Sequence, residues 1–237
     1  MKTNIAAIAV LLAAASAANA DIVNMKFTGT GIGSNVRVTY NGSTKDLFAG
    51  QLKHEFTGAT GTSSYINGLR NTFCSDLAQY VTSTPKPYEI VGISALPTLV
   101  THAGDKAAAL SRLYNYAGNT AIASSASADW ATAFQLTVWE IVTDYVPGSV
   151  NRGLAITTGG FKAQRTNNTP LTTSVSSLVS QFFAAATSES SDIAPIVGVT
   201  SGTAQDQIVV VPAPGAMALA GFGGLLTLSR VRRAKKA

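Results

Sequence analysis

The sequence predicts an α+β protein in which a β-sandwich-like layer carries an inserted helical subdomain. Apolar and polar residues alternate through its first third, apolar residues recur at helical spacing through its middle, and short apolar runs follow near residue 200. Apolar side chains make up 46% of the 237 residues and charged side chains 12%, so the chain can bury a substantial core.

The first third is predicted to form strands over residues 23–27, 35–40 and 47–56, because apolar and polar side chains alternate there. Asn41-Gly42 stands between the second and third of these segments, and Asn-Gly is a strong signal for a hairpin turn. A glycine-rich connection is expected over residues 58–64.

The segment that follows, residues 65–81, contains the only cysteine of the chain, Cys74. Pro85 and Pro87 interrupt the chain after it, and residues 88–93 are predicted to form a further strand. The closing strands of the domain are predicted over residues 196–199 and 207–211.

The middle of the chain is predicted to be helical. Residues 105–116 carry apolar side chains at helical spacing, and Gly118 is expected to end that helix. Ser127 is a suitable N-cap for a longer helix that the turn at Pro147 ends. Its apolar stripe consists of Trp130, Phe134, Val138, Ile141 and Tyr145. A third helix is expected after Pro170, with apolar side chains inward at Val175, Leu178, Val179, Phe182 and Phe183.

The net charge of +5 belongs to the ends of the chain. Of the 17 basic residues, five lie in the last eight positions and Lys2 is a sixth, which leaves eleven in the body against 12 acidic residues. A nearly neutral body lacks the basic face that nucleic-acid binding requires, so no nucleic-acid partner is expected.

The N-terminus has the order of a secretory signal peptide: Lys2, an apolar run over residues 5–15, and Ala-Asn-Ala at 18–20. Residues 1–20 are therefore predicted to be removed, with a mature domain over residues 21–211 that begins at Asp21.

A second three-part signal is predicted over residues 212–237: a Pro-Ala-Pro-Gly motif, an apolar stretch over 216–228 and a basic tail. The apolar stretch is shorter than the roughly 20 residues that span a bilayer, so transient membrane insertion is expected. The pattern resembles the PEP-CTERM sorting signal of Gram-negative bacteria, which an exosortase-type enzyme processes; Ala213 stands where the family has Glu. An ordinary weak C-terminal transmembrane helix is the alternative.

Cys74 has no cysteine partner, so it cannot form an internal disulfide in an exported protein. One alternative is a small buried apolar side chain. Another is a Cys-dependent hydrolase with His54 or His102 as the base, although neither lies in a cysteine-protease signature. One cysteine and two scattered histidines give no metal-ligand spacing, and neither a metal nor a cofactor is predicted.

Two segments carry the main functional prediction. Thr-Phe-Cys-Ser-Asp-Leu stands at residues 72–77, and Phe-Gln-Leu-Thr-Val-Trp-Glu-Ile stands at 134–141 on the predicted long helix. Together they resemble the thioester domain of bacterial surface proteins, whose hallmarks are an aromatic-Cys segment and a helical Gln-x-x-(Ile/Val)-Trp segment. The resemblance covers residues 23–210.

The resemblance implies an internal thioester between the Cys74 sulfur and the side-chain carbonyl of Gln135, formed with loss of ammonia. Phe73, Phe134 and Trp139 are the residues expected to shield it from water. Asp76, a nearby tyrosine or a histidine is expected to move protons.

Three functions are consistent with these sequence features. The first is a non-enzymatic adhesion module that captures amine or hydroxyl groups of a surface protein or matrix polymer. The second is a structural matrix protein in which the thioester or a buried Cys74 acts as a stabiliser. The third is the Cys-dependent hydrolase. The expected location is the cell surface, outer membrane or extracellular matrix of a Gram-negative bacterium.

Overall fold

The computed structural model describes residues 21–189 and 192–211, so the predicted signal peptide and sorting signal lie outside the described residues. It confirms the α+β class, with seven antiparallel strands in one sheet and four α-helices. The strands are β1 (Asp21–Tyr40), β2 (Ser43–Thr57), β3 (Gly68–Cys74), β4 (Lys86–Gly92), β5 (Phe161–Arg165), β6 (Ile196–Ser201) and β7 (Ala204–Val210). The helices are α1 (Ala103–Leu113), α2 (Asn119–Ile122), α3 (Ala128–Asp144) and α4 (Thr173–Thr187).

The hairpin of β1 and β2 confirms the prediction at Asn41-Gly42. Asn41 has a φ of 49° and Gly42 a φ of 76°, as a two-residue turn with both central residues left-handed requires. The break predicted between the strands at residues 23–27 and 35–40 is wrong, because β1 continues through the intervening residues with two irregularities in register. Gly33 lies opposite Gly50, and a Cβ on either would collide with the facing backbone, so the glycines allow close approach.

The sheet closes on itself. Its order is β2-β3-β7-β6-β4-β1-β5, and β1 pairs with β2 as well, so six strands form a ring. The edge strand β5 pairs with the second half of β1, over Val36–Tyr40. No strand was predicted from the sequence at β5, which is only five residues long. A small apolar cluster, with Met25, Phe56 and Tyr88 as its largest members, lies among the strands.

The helices lie between β4 and β6 in the chain. With the π-helical turn that joins two of them, they supply most residues of the second and larger apolar cluster of the domain. Ser127 caps α3 as predicted, because its Oγ accepts a hydrogen bond from the Trp130 backbone N–H at 3.1 Å. α3 packs against α4 and against β1 and β2. Its residues 131–141 are all buried, so α3 crosses the centre of the domain rather than its surface.

The expected helix end at Gly118 is wrong. After α1 the chain continues through a π-helical turn, Tyr114–Gly118, directly into α2. Gly118 has helical backbone angles, and a Cβ there would lie 3.0 Å from Cδ1 of the Tyr114 ring. The glycine therefore makes room for this ring instead of ending the helix.

Candidate functional site

Cys74 and Gln135 meet in the core. Cys74 is the last residue of β3, Gln135 lies in the second turn of α3, and each is only 1% exposed. The Cys74 backbone N–H donates to Gln135 Oε1 at 3.0 Å, and Gln135 Nε2 donates to the Cys74 carbonyl at 2.8 Å. The carboxamide thus binds the strand end as a neighbouring strand would, since it satisfies both backbone groups of one residue.

A short loop follows β3 and surrounds the Cys74 sulfur. The Cys74 thiol donates to the Asp76 carbonyl at 2.8 Å and accepts from the Asp76 backbone N–H at 3.2 Å. The Asp76 carboxylate does not bond the sulfur. Its Oδ1 accepts hydrogen bonds from the backbone N–H of Ala78 at 2.7 Å and of Gln79 at 3.3 Å. Asp76, the predicted proton carrier, therefore contacts the sulfur through its backbone.

Burial raises the pKa of the Cys74 thiol to about 12. The Trp139 indole and the Asp76 backbone oppose this rise in the thiol's pKa but do not cancel it. Trp139 Nε1 is buried and forms no hydrogen bond of normal geometry with a described residue. The thiol therefore stays protonated at neutral pH, which is typical of an inert buried cysteine and not of a catalytic thiolate.

The three predicted shielding residues are all buried around this pair. The rings of Phe73 and Phe134 lie 4.6 Å apart between centroids at 55°. Trp139 follows Gln135 by one helical turn, and its ring lies 6.1 Å from that of Phe161. These rings make the surroundings of the Gln135 carboxamide apolar and closed to bulk water.

Tyr114 was predicted as an apolar position of the first helix and not as a residue of the site. It lies in the π-helical turn, is 2% exposed, and packs edge-on against Phe134 with centroids 4.9 Å apart. Its hydroxyl is buried and has no hydrogen-bond partner among the described residues. Burial raises the pKa of Tyr114 well above its usual range, and nearby Cys74 raises it further. The helical spacing of residues 105–116 predicted that this ring packs inward, but it gave no sign that the ring lies near Cys74.

Neither histidine is a hydrogen-bond partner of Cys74 in the described part of the chain. His54 Nδ1 lies 2.9 Å from Thr72 Oγ1, whose hydroxyl also lies 2.9 Å from Gln207 Oε1. Burial lowers the pKa of His54 to about 4, so the ring is neutral at physiological pH. His102 is the exposed N-cap residue of α1, with a left-handed φ of 53°.

Strand β7 holds the loop that surrounds the sulfur. Gln205 Nε2 donates to the carbonyls of Asp76 at 3.0 Å and Gln79 at 3.1 Å, and the Ser75 N–H donates to the Asp206 carbonyl at 3.1 Å. The position of the Cys74 thiol is therefore fixed by residues about 130 positions away. A local motif search does not identify such partners.

No group of three or more His, Cys, Asp or Glu side chains in residues 21–189 and 192–211 is arranged to hold a metal ion. Within the same ranges, no helix is long and apolar enough to cross a membrane.

Comparisons of the chain with protein-family models, with curated proteins and with solved structures found no match. The chemistry of the site is therefore inferred from its own residues.

Proposed function

We propose that the protein is an exported surface or matrix protein in which Cys74 and Gln135 form an internal thioester that captures amine or hydroxyl groups covalently. The observation that carries the proposal is the pair of hydrogen bonds between the Gln135 carboxamide and the Cys74 backbone. A fixed carboxamide beside a fixed thiol removes most of the entropy cost of bringing the two groups together.

The bond-forming step needs no charged base, because the buried Tyr114 hydroxyl near Cys74 serves as a neutral proton relay. The Cys74 sulfur attacks the side-chain carbonyl carbon of Gln135 while its proton passes to the departing amide nitrogen. The C–N bond breaks, ammonia leaves, and a C–S bond remains. Transfer of the proton from a neutral thiol is consistent with a Cys74 pKa raised to about 12, because no free thiolate is required.

Two features support the survival of such a bond. Both side chains are 1% exposed, and aromatic rings surround the carboxamide, so water has little access to the acyl carbon. In the capture step, a partner's amine or hydroxyl attacks this carbon, the C–S bond breaks, and the proton returns to the sulfur. The product is an amide or ester at Gln135 and a free Cys74 thiol.

The structural alternative is favoured by the same burial. A bond hidden in the core also cross-links β3 to α3, and treated like a disulfide that closes a loop of about 60 residues it would stabilise the fold by roughly 4 kcal/mol. In that case the bond forms but no partner reaches it. The hydrolase alternative is disfavoured, because the described residues place no histidine in hydrogen-bond contact with a thiol of raised pKa.

Incorporation of a fluorescent primary amine into the purified full-length protein tests the capture function. We expect stoichiometric labelling that maps to Gln135, and none in Cys74→Ser or Gln135→Glu. A matched exposed variant, Leu69→Ala, serves as control, since Leu69 is 73% exposed on β3. Loss of ammonia without labelling would favour the structural alternative, and repeated turnover of the amine would favour an enzyme.

Export, exosortase processing and transient insertion of the C-terminal segment belong to the same proposal. They rest on the residue patterns at 1–20 and 212–237. Mass spectrometry of the protein from its native host tests them through the expected new N-terminus at Asp21 and the loss of C-terminal residues.

A further inference from the structure

A cavity of about 350 Å³ lies beside the Cys74 loop. One wall is formed by Ser75 and Asp76, and Asp76 is the residue whose backbone contacts the sulfur. Another wall is formed by Val142 and Thr143, two helical turns beyond Gln135 on α3. Three other cavities, of about 360 to 630 Å³, contain no residue of this loop. Its volume is within the range of small-molecule sites, so the cavity is large enough for a ligand.

The cavity carries an unusual set of hydroxyl groups. Ser75, Thr98 and Thr143 line it, and the hydroxyl oxygen of each is buried without a hydrogen-bond partner among the described residues. Buried hydroxyls without a partner are costly and uncommon in folded proteins. Serine and threonine hydroxyls reach a ligand by rotation about χ1. Three such groups around one cavity therefore indicate a ligand with several hydrogen-bonding atoms.

The charged residues of the cavity are already bonded within the fold. Lys106 is 2% exposed, and its Nζ donates to the Val142 carbonyl at 2.7 Å. The Asp76 carboxylate accepts two backbone N–H groups of its own loop. The hydrogen-bonding groups left over are neutral, so they favour a neutral ligand over an anion or a cation.

Most of the remaining lining is apolar or aromatic, and its polar members, Asn41 and Thr101, are neutral. Pro97 and Tyr40 line the cavity, and Val100 beside it is 85% exposed. An aromatic and aliphatic lining packs against the C–H faces of a ligand whose hydroxyls bond the cavity's polar groups.

We propose that this cavity binds a neutral, polyhydroxylated group of the carbohydrate kind, and that a hydroxyl of this group is what the thioester captures. The inference rests on the proposed function and names its substrate class. The ligand hydroxyl oxygen bonds to the Gln135 acyl carbon, the C–S bond breaks, and the hydroxyl proton passes to the Cys74 sulfur. The product is an ester at Gln135 and a free thiol.

The test compares three nucleophiles on the full-length protein: methylamine, methyl glycosides of glucose, galactose and N-acetylglucosamine, and a lysine-containing peptide. Methylamine measures the reactivity of the thioester itself, since it is too small to need the cavity's hydroxyls. We expect at least one glycoside to add its mass to the protein as a hydroxylamine-sensitive ester. In the double variant Thr98→Val/Thr143→Val, that reaction should slow by about tenfold while the methylamine rate stays unchanged.

The control variant is Thr120→Val, an exposed threonine outside the cavity, which should leave both rates unchanged. Methylamine incorporation without any glycoside adduct would overturn this inference and leave the proposed function standing. A peptide adduct that the cavity variants slow would also overturn it, because the cavity would then serve amines. A protein that neither loses ammonia nor takes up methylamine would overturn both proposals.

Discussion

The Gln135 carboxamide forms two hydrogen bonds with the backbone of Cys74, at 3.0 and 2.8 Å, across 61 residues of sequence. One bond uses the carboxamide as acceptor and the other uses it as donor. A glutamate lacks the donor, and an asparagine lacks the length to reach from α3. The two hydrogen bonds therefore hold the Gln135 amide carbon beside the end of β3. At this position only a glutamine forms both bonds.

The first prediction concerns the coupling of the two residues. If a thioester cross-links them, Cys74→Ala and Gln135→Ala remove the same bond, so their effects on thermal stability should not add. A cross-link worth roughly 4 kcal/mol corresponds to about 10 °C in Tm for a domain of this size. We expect the double variant to fall short of the summed Tm losses by about that amount. Thermal unfolding of the four proteins measures it, and additive losses would argue against a cross-link.

The second prediction concerns the Tyr114 hydroxyl. It is buried, has no hydrogen-bond partner within residues 21–189 and 192–211, and lies near Cys74. Its removal should therefore cost no stability but should disturb proton movement at the site. We expect Tyr114→Phe to keep or slightly raise Tm and to slow thioester formation, measured as the fraction of protein that has lost ammonia. Tyr116→Phe is the matched control, since Tyr116 is 55% exposed. Equal rates in both variants would exclude Tyr114 from the chemistry.

The third prediction concerns the reactivity of the free thiol. In Gln135→Glu no ammonia can leave, so Cys74 remains a thiol, and its pKa of about 12 keeps it protonated. We expect no iodoacetamide labelling of the folded variant between pH 7 and pH 9, and full labelling after unfolding. Leu69→Cys in a Cys74→Ala background supplies an exposed thiol for comparison. Rapid labelling of folded Gln135→Glu would contradict the buried position of the sulfur.

The fourth prediction concerns Glu140, which lies on α3 and is fully buried. Its Oε1 accepts from the Ala155 N–H at 2.7 Å, while Oε2 has no partner among the described residues. Burial raises the pKa of Glu140 to about 8 from 4.5. The folded state holds a proton that the unfolded state releases, so stability should fall as pH rises from about 4.5 to about 8.

Glu140→Gln removes this titration, because an amide stays neutral. We expect the variant to be more stable than the wild type at pH 8 by roughly 1–3 kcal/mol, with little difference at pH 4.5. Tm measured against pH checks it, with Glu189→Gln as the exposed control. A pH profile shared by wild type and Glu140→Gln would mean that Glu140 does not bear the proton.

Local sequence signals predicted much of the fold. The turn at Asn41-Gly42 and the cap at Ser127 each depend on residues a few positions apart, and the structure confirms both. The stripe predicted on α3 was too narrow, because every residue from 131 to 141 is buried. The expected break between residues 27 and 35 and the expected helix end at Gly118 were both wrong, and the reason is the same. In both places a glycine allows a close packing contact, of Gly33 with Gly50 and of Gly118 with the Tyr114 ring, and a rule based on glycine alone predicts a break there.

The residues of the candidate site also differ in whether local sequence signals predict them. Cys74 and Gln135 were singled out from two short motifs, and the structure places them side by side. Tyr114 and Gln205 were not predicted as residues of the site, because their relation to the sulfur depends on a π-helical turn and on the pairing of β7 with β3. Contacts of this kind arise from the topology of the sheet and leave no local pattern in the sequence.

The most direct measurement is the intact mass of the purified protein before and after incubation with methylamine. We expect a mass lower than that of the sequence by one ammonia, and after incubation a gain of one methylamine that maps to Gln135. A mass equal to the plain sequence, unchanged by methylamine and with Cys74 alkylated after unfolding, would contradict the thioester and leave Cys74 as a buried structural thiol.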